Sequence, residues 1–421
     1  MVIISLSYQF RDLYDVLVTK PVEALDALKE LQEFKDEDFT RWFYFEERTA
    51  DKGVTKHNPE KSFNGYTLYS TVYEQKAYLI DMKGKVVHSW AKPFEEIWPD
   101  PVADYIPPTH KIFWCRVWLD SDGGLYIQYC IDGPGNKAVG LTKLDKDSNL
   151  VWKYEDYSHH DMELSANGNI YVLVNNIRHE PHKALPYVTK PFMDEFIVTL
   201  NSKGEEIARA SILDMMYDSP ARSLLELIGD TPSDPKLNTG DLLHPNTITE
   251  ITQSVAGKAP MLKAGHVLVS FRNIDLLASF DLENQRMTWA SYGPWRAQHA
   301  PEFFDDGTIA MFDNEGNVSK EGGASRILHI DLNNLAVLWE YIGSKNEPFY
   351  SPYNGFVQTL GNGNLLATET SAGRIFEIDK NKDIVWEFYV PERLESKGKK
   401  HIPSVFSGHR YAEDQIKFLS P

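Results

Sequence analysis

The chain has 421 residues, of which 42% are hydrophobic and 25% are charged, and its formal net charge is −18. This composition is typical of a globular protein with a sizeable core. The acidic excess argues against nucleic acid and anionic membrane surfaces as partners, because both repel a negatively charged protein. No apolar stretch approaches the length needed to cross a bilayer, so we expect no membrane segment.

The N-terminal part, residues 1–60, is predicted to be a short helical extension. Residues 21–31 carry apolar side chains at helical spacing, and Pro21 stands where a helix would start. We expect these helices to pack on the edge of the following domain or on a second copy, which would make the protein a homo-oligomer. Residues 1–6 are too short for a signal-peptide core. The sequence as it stands predicts a cytoplasmic protein, with a periplasmic or secreted location as the alternative if a leader was removed.

Residues 61–421 contain a repeated unit that consists of an apolar strand, an acidic or amide residue, a turn, a second strand and Trp. The six copies begin at Asp81, Asp145, Asn201, Asp281, Asp331 and Asp379, and the copy at Asn201 lacks the Trp. Asp and Gly supply the turns, and the Trp is expected to pack between units. About four strands over roughly 45 residues are typical of a propeller blade. The repeat predicts an all-β fold, a six-bladed β-propeller closed by a strand from residues 409–418.

The two cysteines, Cys115 and Cys130, fall within one predicted hairpin. If Asp122 and Gly123 form its turn, the cysteines face each other at a hydrogen-bonded pair, which is the less comfortable position for a disulfide. We expect two buried free thiols, with a disulfide as the alternative.

A second repeat places polar residues at one end of the hairpins. Arg116, His160 and His299 each stand eight residues before a turn glycine, and Asn175, Arg272, Asn314 and Thr370 each stand seven residues after one. Because successive strands of a hairpin are antiparallel, such positions lie side by side at its open end. His244 and Asn246 begin a longer hairpin of the same kind. The pattern predicts a site on one rim of the propeller, around its axis.

The candidate catalytic residues are His160, His244, Arg272 and His299. The candidate substrate-binding residues are Asn246, Asn314, Thr370 and Tyr353, the last of which would line a pocket for an aromatic substrate. An arginine offers a planar fork of donors to a sulfuryl or phosphoryl group. A neutral imidazole can attack such a group and hold it covalently, while a second histidine donates a proton to the leaving oxygen.

Two other classes of function fit the same residues. The ring of His160, His244 and His299 would suit a metal-dependent propeller oxygenase or hydrolase. A neighbouring arginine is unfavourable for a dication and no carboxylate ligand is evident, so we expect no metal and no other cofactor. A propeller can also serve as a non-catalytic module for binding or assembly, because a fold does not determine a function.

These stretches resemble the arylsulfate sulfotransferases of the six-bladed propeller type, over roughly residues 60–415. The resemblance rests on motifs at residues 64–68, 79–90, 159–161, 243–246, 270–273, 298–300 and 311–315. It implies an enzyme that moves a sulfuryl group from an aryl sulfate ester to a phenol without a nucleotide sulfate donor. The implied route is ping-pong, through a sulfated histidine.

The resemblance also implies individual roles. His299 would be the nucleophile, and His160, His244 and Asn246 would bind or protonate around the sulfuryl group. Arg272 would hold the sulfuryl oxygens and Thr370 would add a hydroxyl. Asn314 would position the histidines beside the substrate. The N-terminal β-domain and the active-site disulfide of better-known periplasmic relatives have no counterpart in the sequence, so dimerisation and export do not carry over.

Overall fold

The computed structural model describes residues 43–99, 111–132, 138–228, 240–396 and 398–419. In this part of the chain, strands form six sheets of four or five strands and one sheet of three. The predicted all-β propeller class is confirmed. The count of six blades stays a prediction, and the six larger sheets agree with it. The helix predicted at residues 21–31 lies outside the described residues.

The strands are numbered in chain order. The first five are β1 (Tyr44–Glu46), β2 (Gly53–His57), β3 (Tyr66–Thr71), β4 (Lys76–Ile80) and β5 (Val86–Ala91). The next four are β6 (Ile112–Leu119), β7 (Leu125–Ile131), β8 (Ala138–Leu144) and β9 (Leu150–Tyr154). They are followed by β10 (Ser158–Leu164), β11 (Ile170–Arg178), β12 (Phe192–Leu200) and β13 (Glu206–Ser211).

The second half of the chain continues in the same way. It holds β14 (Pro245–Glu250), β15 (Val267–Phe271), β16 (Leu276–Asp281) and β17 (Arg286–Tyr292). Then come β18 (His299–Phe303), β19 (Ile309–Asp313), β20 (Arg326–Asp331) and β21 (Ala336–Ile342). The last seven are β22 (Phe356–Thr359), β23 (Leu365–Glu369), β24 (Arg374–Ile378), β25 (Ile384–Tyr389), β26 (Leu394–Ser396), β27 (Lys399–Pro403) and β28 (Val405–Tyr411).

Helices are short and lie between strands. The α-helices are α1 (Phe94–Ile97), α2 (Ile212–Tyr217) and α3 (Gln253–Ala256). The 3₁₀ turns are Arg222–Leu227, Thr370–Ala372, Glu413–Gln415 and Lys417–Leu419.

Each large sheet is an antiparallel meander. Sheet 1 has the order β28-β3-β4-β5, sheet 2 is β6-β7-β8-β9, and sheet 3 is β10-β11-β12-β13. Sheet 4 is β14-β15-β16-β17, sheet 5 is β18-β19-β20-β21, and sheet 6 is β22-β23-β24-β25-β2. The C-terminal strand β28 pairs with β3, so sheet 1 joins both ends of the propeller, as the sequence predicted.

The six sheets close into a ring. The first strands β28, β6, β10, β14, β18 and β22 contact one another in that order, and β22 contacts β28 again. Six hydrophobic clusters separate neighbouring sheets, for example one between sheets 1 and 2 and another between sheets 5 and 6. Full burial of one large aliphatic or aromatic side chain contributes about 1.5–3 kcal/mol, so these clusters hold the ring together.

The repeated Asp and Trp residues have the predicted roles. In the turn after β4, Asp81 Oδ1 accepts hydrogen bonds from the backbone N–H groups of Lys83 and Lys85. The indole N–H of Trp90 in sheet 1 donates to the Gly123 carbonyl of sheet 2, at 3.1 Å. The indole of Trp386 in sheet 6 donates in the same way to Met82 of sheet 1, at 3.0 Å. In these copies the Asp caps the turn and the Trp ties one sheet to the next, whereas the indole N–H of Trp152 has no hydrogen-bond partner in the described residues.

The propeller begins earlier than the predicted boundary at residue 61. Strand β2 pairs with the outer strand β25 of sheet 6, and β1 pairs with β27 in the three-stranded sheet. Residues 43–57 therefore belong to sheets and not to a helical extension. The sequence signal was weak because Gly53–His57 has little alternation of polar and apolar residues.

The expectation of free thiols was wrong, because Cys115 and Cys130 form a disulfide. The hairpin turns around Asp120 and Gly124, and the ladder shifts between Trp114 and Arg116. Cys115 is the extra residue of this β-bulge, so it does not lie directly opposite Cys130. A bulge is not visible in a count of residues from the turn.

Candidate active site

The site residues lie where the first strands of sheets 3, 4 and 5 depart from regular pairing. The ladder shifts between Ser158 and Met162 in sheet 3, between Pro245 and Thr247 in sheet 4, and after His299 in sheet 5. Four residues at these ends have positive φ: His160, His244, Ala297 and Ala300. Bulges and left-handed backbone at matching positions redirect side chains and are common beside active sites.

His299 is held in place by the segment that precedes it. The side-chain amide of Gln298 donates to Ser270 Oγ and to the carbonyls of Phe271 and Leu276 in sheet 4, at 3.1–3.3 Å. The Ala297 N–H donates to Asp275 Oδ1 at 2.6 Å. Together these bonds fix a tight, buried turn from which the imidazole of His299 projects, with the residue only 1% exposed.

Asn314 determines which nitrogen of His299 carries the proton. The amide nitrogen of Asn314 donates to the carbonyls of Ser351 and Asn354, at 2.8 and 2.6 Å. Its oxygen must therefore face His299 Nδ1, which lies 2.7 Å away. Because a carbonyl oxygen only accepts, Nδ1 carries the hydrogen and Nε2 keeps its lone pair. Geometry thus gives His299 the tautomer that a nucleophilic Nε2 requires.

The charge state of His299 also suits a nucleophile. Burial, and after it the positive charge of Arg272, hold the pKa of His299 well below its ordinary value. The hydrogen bond that His299 donates to Asn314 opposes this change without cancelling it. Imidazole is then neutral at physiological pH, and the neutral form is the one that attacks an electrophile.

His160 belongs to a chain of buried polar groups. Its Nδ1 lies 2.9 Å from His159 Nδ1, and His159 Nε2 lies 2.9 Å from Glu195 Oε2. Burial, followed by the neighbouring His244, holds the pKa of His160 well below the ordinary value. His160 is therefore neutral in the folded protein, so a permanently protonated His160 is not the resting state.

His244 lies against His160, with ring centroids 4.6 Å apart. Its Nδ1 bonds the carboxylate of Asp241, three residues earlier. Burial raises the pKa of Asp241, but His244, His159 and Arg272 outweigh burial and leave that pKa below its ordinary value. An ionised Asp241 can only accept a hydrogen bond, so the N–H of His244 lies on Nδ1, facing the carboxylate, and the ring is held in one orientation.

Asn246 makes a contact that the sequence did not predict. Its amide donates to the carbonyl of Gln298 at 2.7 Å, and the side chain is fully buried. In this position Asn246 ties sheet 4 to the residue before His299. The position of Asn246, two residues after His244, placed it correctly at the rim. The sequence could not show that the Gln298 carbonyl, just before sheet 5, accepts a hydrogen bond from it there.

Arg272, Tyr353 and Thr370 occupy the surroundings. The half-buried guanidinium of Arg272 lies over the Tyr353 ring at 5.8 Å, and Tyr353 is 56% exposed, so this pair is open to solvent. Thr370 follows β23 in sheet 6, at the position that Asn314 occupies after β19. Its hydroxyl is buried and has no hydrogen-bond partner within the described residues. Such an orphaned group is normally satisfied by water or a ligand.

Arg116 was missed among the catalytic candidates, although its register in the sequence matched the rim. Its guanidinium is buried, donates to the carbonyls of His160 and Phe406 at 2.8 and 2.6 Å, and lies over the Phe356 ring. Burial lowers the pKa of Arg116, and its charge in turn lowers the pKa of His299. No ion pair to Arg116 occurs in the described ranges. A buried cation in this state favours an anion nearby.

The metal alternative finds no support in the arrangement of ligands. Within residues 43–419, where described, no three His, Cys, Asp or Glu side chains are grouped so as to hold an ion. The Nδ1 atoms of His160, His244 and His299 are bonded to protein groups.

Helices in the described segments are all too short or too polar to span a membrane.

The sequence model of the arylsulfotransferase (ASST) family matches residues 132–390, which is more than half of the chain. The match contains His160, His244, Arg272 and His299. The protein belongs to the arylsulfotransferase family, whose members transfer sulfuryl groups. No curated protein sequence matches it significantly.

Solved structures resemble it only at low identity. A protein of unknown function from Bacteroides caccae is 12% identical with a TM-score of 0.48, over 81% of this chain and 99% of that one. Streptogramin B lyase is 13% identical with a TM-score of 0.42, over 86% and 96% of the two chains. The WD40 β-propeller domain of Doa1 is 11% identical with a TM-score of 0.40, over 82% and 97%.

Proposed function

We propose that this protein transfers a sulfuryl group from an aryl sulfate ester to a phenol, by a ping-pong route through a sulfated His299. The observation that carries the proposal is the tautomer of His299. Asn314 accepts the Nδ1 hydrogen, so a buried, neutral imidazole presents an unprotonated Nε2. Together with two nearby arginines, these properties match what a histidine nucleophile for an anionic group requires.

In the first half-reaction His299 Nε2 attacks sulfur. The N–S bond forms while the S–O bond to the aryl group breaks, and the bonding pair leaves with the aryl oxygen. Arg272 binds the sulfuryl oxygens, His244 is held beside them by Asp241, and the buried charge of Arg116 adds to the favourable field. His160 supplies the proton that the aryl oxygen takes up. Tyr353 stacks on the aromatic ring at the mouth of the site.

In the second half-reaction a phenol takes the group from His299. Its oxygen attacks sulfur, the N–S bond breaks, and the electron pair returns to Nε2. His160 accepts the phenolic proton. Because donor and acceptor are both phenols, one set of groups can serve both directions. Thr370 and Asn246 remain proposed contacts of the substrate or of the segment that presents His299.

A rapid-mixing experiment tests this proposal. Enzyme and a chromogenic phenyl sulfate, with no acceptor, should release one equivalent of phenol per protein and then stop. A second phenol should restart turnover and carry the sulfuryl group. His299→Ala should remove the burst by more than about 10³-fold. His329→Ala is the matched control, because His329 bonds Thr308 in sheet 5 outside the site.

Two results would overturn the proposal. Steady release of phenol into water, without dependence on a second phenol, would make the protein a hydrolase. A burst that persists in His299→Ala at the wild-type amplitude would move the nucleophile elsewhere.

A further inference from the structure

Three buried side chains form a line that ends in the proposed site. Glu195 on β12, His159 on β10 and His160 on β10 are joined by two contacts of 2.9 Å. Glu195 and His159 are only 1% and 2% exposed, so they are shielded from the surrounding solvent. Asn175, which the sequence placed at the rim, pairs with Glu195 across β11 and β12.

We propose that Glu195 and His159 form a proton relay behind His160, in which Glu195 holds a proton in the resting protein, releases it towards the aryl oxygen in the first half-reaction and recovers one from the acceptor phenol in the second. This inference rests on the proposed function and specifies its proton donor. Glu195 and His159 act through His160 and are therefore positioning residues. Only His160 contacts the substrate.

The relay balances in both directions. In the first half-reaction His160 Nε2–H moves to the aryl oxygen, His159 Nδ1–H moves to His160 Nδ1, and the Glu195 carboxyl proton moves to His159 Nε2. The result is a neutral phenol, a Glu195 carboxylate and two neutral imidazoles of changed tautomer. In the second half-reaction the acceptor phenol loses its proton to His160 Nε2, and the same three shifts run backwards until Glu195 is protonated again.

The surroundings favour this route over an imidazolium. A second proton on His160 would be repelled by the charges and dipoles of Arg116 on β6, His244 before β14, and His299 on β18. The relay never charges His160. Burial raises the pKa of Glu195, His159 opposes the rise and Asp241 adds to it, so the protonated form of Glu195 is favoured relative to that of an exposed glutamate.

Glu195 meets the relay through one oxygen. Oε2 faces His159, while Oε1 is buried without a hydrogen-bond partner in the described part of the chain. The neighbouring Asp194 also has one unpaired buried oxygen, but its other oxygen bonds Arg178. The contact with His159, and not the unpaired oxygen, therefore distinguishes Glu195 from Asp194.

The test uses Glu195→Gln, which keeps the shape and the hydrogen bond to His159 but holds no transferable proton. Single-turnover release of phenol is measured with a series of aryl sulfates, from 4-nitrophenyl sulfate to unsubstituted phenyl sulfate. Nitrophenolate leaves without a proton, so its release should stay within about threefold of wild type. Release of unsubstituted phenol should fall about 10²-fold, the usual size of a general-acid contribution. The variant should also lose most of any solvent deuterium isotope effect.

Asp194→Asn is the matched control. Asp194 is equally buried on the same strand, but its partner is Arg178, outside the relay. We expect lower stability and an unchanged dependence on the leaving group. If Glu195→Gln does not fold, His159→Gln serves in its place with the same expected outcome.

The outcomes separate the relay from the proposed function. Equal slowing with every donor, or no slowing with any donor, would overturn the relay while the wild-type burst still stands. Absence of a burst from wild-type protein with every aryl sulfate would overturn the proposed function itself.

Discussion

The first strands of sheets 3, 4 and 5 differ from the first strand of sheet 6. In β10, β14 and β18 the pairing register with the second strand shifts at the rim, and histidines stand at or beside the shift. In sheet 6, β22 pairs with β23 in one unbroken register from Phe356 to Thr359, and no histidine stands there. The six sheets share one pattern of turns and inter-sheet contacts, yet chemistry-bearing side chains gather where pairing is irregular.

This difference indicates how a repeat acquires a site. A regular hairpin points its last residues to alternate faces, which would direct half of them into neighbouring sheets. One extra residue redirects the strand end without disturbing the packed body of the sheet. His299 and Asn314 are thereby joined by a hydrogen bond although His299 stands opposite Phe312 in the ladder.

The largest change beyond the nucleophile is expected from Arg272, at the end of β15. Arg272→Ala should slow sulfation of the enzyme by about 10²–10³-fold, because loss of one oxyanion donor typically costs about 2.7–4 kcal/mol. Single-turnover phenol release measures the effect. Arg272→Lys keeps the charge but loses the planar fork of donors, so its rate should fall between those of the wild type and Arg272→Ala. A rate for Arg272→Ala within threefold of wild type would remove this residue from the mechanism.

A smaller effect is expected at Asn314. Asn314→Ala removes the acceptor that fixes the hydrogen on His299 Nδ1, and it takes a donor from the carbonyls of Asn354 and Ser351, of which the latter keeps the hydroxyl of Ser325. A buried carbonyl left without a donor costs about 1–3 kcal/mol. We expect sulfation to slow about 10–100-fold and thermal stability to fall.

The equivalent position on the regular sheet 6 sharpens the comparison. Thr370→Val removes a hydroxyl that has no protein partner, so it should change the apparent KM by about fivefold or less and leave the first turnover intact. Equal effects at Asn314 and Thr370 would contradict a difference between the two sheets.

The pH dependence tests the charge state at the rim. Since the pKa of His299 lies well below its ordinary value, the imidazole stays neutral as pH falls through the range where a free histidine takes up a proton. Sulfation by 4-nitrophenyl sulfate should therefore be constant from pH 8 to about pH 6. Arg272→Ala removes a charge that lowers this pKa, so its rate should begin to fall at a higher pH. A wild-type midpoint near pH 6.5 would contradict the proposed environment.

The smallest expected effect is on stability, and it concerns Glu302 on β18, the strand that begins with His299. Burial, aided by Asp161, raises the pKa of Glu302 on β18 to about 7. The folded protein then binds this proton more tightly than the unfolded chain, so stability is lost as pH rises from about 4.5 to 7. Glu302→Gln is neutral throughout and should raise Tm more at pH 8 than at pH 5. A pH-independent change in Tm would argue against the raised pKa.

Much of the architecture could be predicted because turns and Trp residues recur in the sequence. The order of strands, the closing strand β28 and the gathering of His160, His244 and His299 at one rim all depend on that repeat. The bulges could not be predicted, because one extra residue leaves the alternation of polar and apolar residues along a strand nearly unchanged. This is why the pairing of Cys115 and the contact of Asn246 with Gln298 were missed.

Glu195 was missed for a different reason. It lies inside β12, a strand that the count from the turns did not include, and its side chain meets the site through His159. One signal was present: Asp194 and Glu195 interrupt an otherwise largely apolar strand, FMDEFIVTL. Two acids in a buried strand indicate buried partners, but the sequence alone does not identify them.

Mass spectrometry of the protein after brief mixing with 4-nitrophenyl sulfate, with no acceptor, tests the central claim most directly. The account predicts one sulfuryl group per chain, on the peptide that contains His299, and none on that peptide in His299→Ala. An adduct on another residue, or phenol release with no adduct on any peptide, would contradict the assignment of His299 Nε2 as the nucleophile.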